Sequence, residues 1–116
     1  MKNQILQYEK DFFSKAFCSI RENLENRLSK DFIECGKSGF VYDRESTINS
    51  LYGLSGDRNI EILQFNLTVL SESIVLARYI SHHKDSNLYA LRASLWKFED
   101  NTWKLFFHQG TIQGNV

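Results

Sequence analysis

At 116 residues and about 13.6 kDa the chain is the size of one domain, and fourteen Lys and Arg balance fourteen Asp and Glu. Each part balances separately, nine of each up to Arg58 and five of each after it, so there is no basic excess to displace counterions from nucleic-acid phosphates and no polybasic membrane anchor. An apolar fraction of 42%, with nine Phe, excludes a disordered chain and implies a core or pocket built from rings.

Ile5, Leu6, Phe12, Phe13 and Phe17 recur at helical spacing, which predicts a first helix with Gln7, Glu9, Lys10 and Asp11 on its wet face. Ser19-Ile20-Arg21-Glu22 reads as a capping box, and Ile20, Leu24 and Leu28 form the stripe of a second helix of about ten residues. Phe32–Cys35 and Phe40–Tyr42 flank Gly36-Lys37-Ser38-Gly39 and read as a short hairpin. Asp43 is a suitable N-cap for a third helix carrying Ile48, Leu51 and Tyr52 and ending near Gly53. Four strands follow, Ile60–Leu70, Ile74–Ser81, Leu88–Phe98 and Thr102 to about Ile112, joined by connections short enough for an antiparallel meander. Strands near ten residues must twist and bend around a filling, and the three amphipathic helices supply it. The fold class expected is α+β: a cone of three N-terminal helices packed in a strongly curved, mostly antiparallel sheet. No proline and no Gly/Ser linker divides the chain, so residues 1–116 are read as a single domain.

Cys18 and Cys35 have no further cysteine to complete a zinc set, so no metal and no cofactor is expected. Met1-Lys2-Asn3-Gln4 runs straight into a charged segment rather than a signal peptide, and no apolar run reaches membrane-spanning length. Reduced cysteines in a cytoplasmic protein are the expectation. Glycine-rich phosphate loops and a Gly-x-Ser-x-Gly elbow are absent from the sequence.

The helix–helix–hairpin–helix–meander order resembles the nuclear transport factor 2-like (NTF2-like) superfamily, which includes ketosteroid isomerase and SnoaL-type cyclase folds. Asp31-Phe32-Ile33-Glu34, Ser38-Gly39-Phe40-Val41-Tyr42-Asp43-Arg44, Arg92-Ala93-Ser94-Leu95-Trp96 and Trp103 to Thr111, with its Phe107-His108-Gln109-Gly110-Thr111 string, resemble the DUF4440 group within it, over residues 5–112. The resemblance implies a curved sheet wrapped on helices, a homodimer through the sheet and a pocket in the cone. It implies no reaction, because one fold hosts many functions.

Strand parity selects the candidate site. Arg92, Ser94 and Trp96 share a face, which is either a solvent stripe or the mouth of the cone with a charge, a hydroxyl and a ring wall. Glu34 shares parity with Phe32 and is read as Arg92's ion-pair partner or as a proton-transfer base. Tyr42 and Tyr79 offer phenols to a ligand or to the core. Trp103, Leu105, Phe107 and Gln109 form one face of the last strand, with Lys104, Phe106, His108 and Gly110 on the other; both are substantially apolar, which argues for a covered sheet and hence a dimer. His82 and His83 are read as solvated loop residues. The ligand set expected is Arg92, Ser94, Trp96, Tyr79, Gln109 and Tyr42, holding a small, partly apolar, anionic or aromatic molecule. The alternative is a cofactor-free lyase, isomerase or hydrolase using Glu34 or His108 as general base. The Asp–Tyr–acid set of the steroid isomerases has no counterpart, since Asp31, Asp43, Asp57, Asp85 and Asp100 fall at caps, turns or strand starts.

Overall fold

Ile5, Glu9 and Phe12 repeat at i, i+4 and i+7, and this stripe buries the first helix, α1 (Lys2–Asp11). The computed structural model describes residues 1–114. The predicted first helix is broken: turns close at Phe13 and Ser14, and the Ser14 hydroxyl accepts from the Phe17 N–H at 3.3 Å to start α2 (Lys15–Cys18). The capping box at Ser19 does not form. The Ser19 hydroxyl donates back to the Ala16 carbonyl at 2.9 Å, and exposed Ile20 precedes α3 (Arg21–Arg27). Leu28 leaves the helix to begin β1 (Leu28–Cys35).

The hairpin forms as expected. Gly39, at φ +91°, takes a conformation that L side chains rarely adopt, and its N–H closes the turn on the Gly36 carbonyl at 2.9 Å. After β2 (Val41–Asp43), the Asp43 carboxylate accepts from the Ser46 N–H at 2.9 Å and starts α4 (Arg44–Tyr52). Ile48 is its buried residue, while Tyr52 is exposed.

Four long strands complete the chain: β3 (Ile60–Ser71), β4 (Ile74–His83), β5 (Leu88–Glu99) and β6 (Thr102–Ile112). The sheet order is β2-β1-β6-β5-β4-β3, every pairing antiparallel except β1 with β6. Thus the hairpin joins the meander through one parallel seam, and the curled sheet stays open with β2 and β3 at its edges. The architecture is α+β as expected, with four helical segments among the described residues instead of three.

A bulge in β6 decides which side chains face inward. The register steps from Leu95–Phe107 to Trp96–Leu105, leaving Phe106 without a partner. Trp103 and Leu105 are buried before the bulge, and His108 and Gly110 after it. The single parity assigned to this strand is therefore wrong. One extra residue transfers the inward set from odd to even positions, and Gln109 is exposed on the outer face.

Candidate functional site

The inner face of β5 places Arg92, Ser94 and Trp96 toward the helices, opposite Tyr79, Ala77 and Val75 of β4. Trp96 is wholly buried, stacked 6.3 Å from Phe12 and tilted at 45° to Tyr8 at 5.8 Å. Ser94 is likewise wholly buried. Neither lines the cavity, which corrects the expectation that indole and hydroxyl meet a ligand. Core rings occupy the depth of the cone, and Gln109 is excluded by its outward position.

The feature that organises this floor is Glu9, expected on the wet face and in fact 2% exposed. Its carboxylate accepts from the Tyr79 hydroxyl at 2.7 Å and from the Trp96 indole N–H at 2.8 Å. Burial pushes its pKa up, while the hydrogen bonds from Tyr79 and Trp96 and the Arg92 charge act in the other direction. The i, i+4 spacing from Ile5 was the available signal, since it puts a carboxylate on the apolar stripe.

Beside Glu9 lies a cavity of about 450 Å³, within the range of small-molecule sites. Phe12, Phe13, Leu28, Leu51 and Leu105 make its apolar wall, and Tyr79 and His108 part of its floor. Glu34, Tyr42, Arg58, His83 and Arg92 supply polar groups, with Tyr42 partly exposed. Of the expected ligand set, Arg92, Tyr79 and Tyr42 line this space; Ser94, Trp96 and Gln109 do not.

Arg92 is held rigidly. Its Nε donates to Ser81 Oγ at 3.0 Å and its Nη2 to His83 Nε2 at 3.3 Å. An arginine has no lone pair to offer, so His83 accepts through Nε2 and is the neutral tautomer carrying hydrogen on Nδ1. Burial, with Lys37 and Arg92 next, depresses its pKa to about 4. His83 is thus a cavity residue, not a solvated loop histidine. Gly110 makes the seat: a Cβ there would lie 2.9 Å from Cζ and 3.2 Å from Cδ of Arg92. Two of Arg92's five N–H groups are committed, leaving three.

The proposed Glu34–Arg92 bridge does not form. Among the described residues the Glu34 carboxyl has no hydrogen-bond or ion-pair partner, although the residue lines the same cavity. Burial raises its pKa, and Arg92 and Arg58 pull it back. His108 Nδ1 lies 2.7 Å from Ser94 Oγ, and its pKa is pushed down to about 3, first by burial and then by Arg92 and Arg58. Neutral imidazole is therefore its resting form. Arg58 donates to the Phe12 carbonyl at 2.7 Å and lies 5.0 Å over the Phe13 ring. Sequence reasoning also missed Arg58, Ser81 and His83, because spacing within one element does not reveal contacts across the cone.

Among the described residues no group of three or more His, Cys, Asp or Glu is placed to hold a metal ion, and no helix is long and apolar enough to cross a membrane. No family model and no curated protein matches the sequence. Solved structures do match in shape. A protein of NTF2-like type from Cytophaga hutchinsonii superposes at TM-score 0.79 with 18% identity, over 97% of this chain and 98% of that one. A candidate ketosteroid isomerase from Parabacteroides distasonis does so at 0.75 and 14%, over 97% and 88%. The association domain of CaMKII from C. elegans does so at 0.71 and 8%, over 94% and 90%. The helices in a curled, open sheet thus form the NTF2-like fold. At these identities the likeness establishes the architecture and no activity.

Proposed function

We propose that the protein binds a small, partly apolar organic anion inside the cone, as a homodimer joined through the outer sheet face. The observation that carries this reading is Arg92: a cavity-lining cation oriented by Ser81, His83 and Gly110, without a carboxylate partner among the described residues, and with three N–H groups uncommitted. Apolar rings on one side and a fixed cation on the other suit a carboxylate or similar group on a hydrophobic body. Tyr42 at the rim and Tyr79 at the floor add aromatic wall. The strings Arg92–Trp96 and Phe107–Thr111 support kinship with the DUF4440 group.

The dimer rests on the outer face. Leu76, Leu95, Phe107 and Ile33 are cross-strand neighbours over four strands, and Leu91 of β5 is 49% exposed. An apolar stripe of that extent on a sheet face calls for a cover, and a second copy supplies a matching one.

Native mass spectrometry of the purified protein incubated with a metabolite extract tests the reading. An anionic adduct is expected on the native chain and absent from Arg92→Ala; equal adducts on both would refute it. A second reading has one specific observation in its favour. Glu34 is an unpartnered cavity carboxyl with a raised pKa, as suits the general base of a cofactor-free lyase, isomerase or hydrolase. His108 suits that role less well, because a base of pKa about 3 accepts protons weakly at neutral pH.

A further inference from the structure

The β1–β2 turn holds a group that the anion site as described so far does not use. Lysines on hairpin turns ordinarily extend into water, where solvation is best and rotamer freedom is kept. Lys37 instead is half-buried and lines the cavity, together with Ser38 and Gly36 from the same turn. It shares that space with Arg58 and Arg92, and among the described residues none of the three has a carboxylate within 4.0 Å. Of the two cavity carboxyls, Glu9 is hydrogen-bonded by Tyr79 and Trp96 and Glu34 is unpartnered, so three cations face two carboxyls.

The cations act on one another. Burial lowers the Lys37 pKa, and Arg92 and Arg58 lower it further; the same two arginines depress His108. The cavity therefore carries more cations than carboxyls, three against two, and none of the three cations is paired with a carboxylate. Three like charges converging on apolar walls repel one another, and a ligand with matching negative charge relieves that repulsion.

Resting on the organic-anion reading, we propose that the ligand is a dianion, with one acidic group on Arg92 and a second held by Lys37 and the Ser38 hydroxyl at the turn. Dicarboxylates and phosphomonoesters share this chemistry. The turn is suited to the second contact: its Gly36–Gly39 closure fixes the loop, while the Lys37 side chain stays free to adjust to the length of the ligand.

Calorimetric titration at neutral pH with two matched pairs tests the assignment: succinate against monomethyl succinate, and phenyl phosphate against phenyl methyl phosphate. Each pair keeps the body and removes one charge. In at least one pair the dianion is expected to bind at least about tenfold tighter. The pair that shows the preference identifies the source as dicarboxylate or phosphomonoester. Lys37→Ala, a turn substitution outside the core, is expected to weaken the dianion more than the monoanion and so to erase that preference, and Lys37→Arg to retain it. Arg92→Ala is expected to weaken both members. Equal binding within both pairs, or a preference that survives Lys37→Ala, with Arg92→Ala still weakening binding, overturns the dianion assignment and leaves the anion site standing. No binding by any of the four probes, or binding indifferent to Arg92→Ala, overturns both.

Discussion

Glu9 tests how buried polar groups hold this interior. Its carboxylate is the acceptor for two buried donors, so an apolar replacement strands both the Tyr79 hydroxyl and the Trp96 N–H. Glu9→Leu is expected to destabilise the fold by about 2–4 kcal/mol in chemical denaturation, and Glu9→Gln, which keeps one acceptor, by less. A leucine variant as stable as the native protein would show that the network contributes nothing. His108 offers a second test. Its folded pKa of about 3 lies below the ordinary 6.5, so the unfolded chain binds more protons between those values. His108 therefore contributes stability that is lost as pH falls from about 6.5 toward about 3. Glu9 has the opposite sign: its pKa is raised, so its contribution is fullest at low pH and is lost as pH rises through the folded value. The two oppose in a whole-protein curve, and imidazole nitrogen shifts separate them. His108 is expected to keep neutral-ring shifts down to about pH 4, and titration near 6.5 would contradict its burial. At this scale the sequence was partly legible. Arg92, singled out by strand parity, and Tyr79 and Tyr42, singled out for their phenols, line the cavity, whereas Glu9 was misread because a carboxylate among Gln7, Lys10 and Asp11 looks solvated unless its spacing from Ile5 is weighed.

Between strands β5 and β6 the site depends on one glycine. Gly110 faces Arg92 across the ladder, and any Cβ there invades the guanidinium. Gly110→Ala is expected to keep the circular-dichroism spectrum of the fold while lowering anion affinity about as far as Arg92→Ala does. Unchanged affinity would mean that Arg92 is not positioned by this contact. The elements themselves were legible where a period persists: the hairpin, α4 with its Asp43 cap, and all four meander strands appear where spacing put them. The failures have specific causes. Ser14 captures the Phe17 N–H and splits the first helix, Ser19 bonds backward instead of forward, and the β6 bulge inverts a parity argument that assumed an unbroken strand. A bulge is set by cross-strand register, which a strand's own sequence does not carry.

Across the whole molecule, the open sheet has helices on one face and the Ile33–Phe107–Leu95–Leu76 stripe on the other. The proposed dimer makes a direct prediction. Sedimentation equilibrium is expected to give twice the 13.6 kDa chain mass, and Leu95→Glu, which puts a charge mid-stripe, to give the monomer. A native chain that sediments as a monomer would leave that face without a partner copy. The curved sheet packed on helices was legible from sequence, because strands near ten residues must bend around a filling. The parallel β1–β6 seam was not, because it joins segments about seventy residues apart with no shared turn.

The claim on which the function depends is that Arg92 meets an anion inside the cone. Side-chain Nε–H spectra of the isotope-labelled protein, recorded while benzoate is added, address it directly. A saturable shift of the Arg92 signal, with the Gly110 amide moving in step, is the predicted result. Saturating benzoate that leaves Arg92 unmoved, or that perturbs Leu91 and Leu95 on the outer face instead, would contradict it.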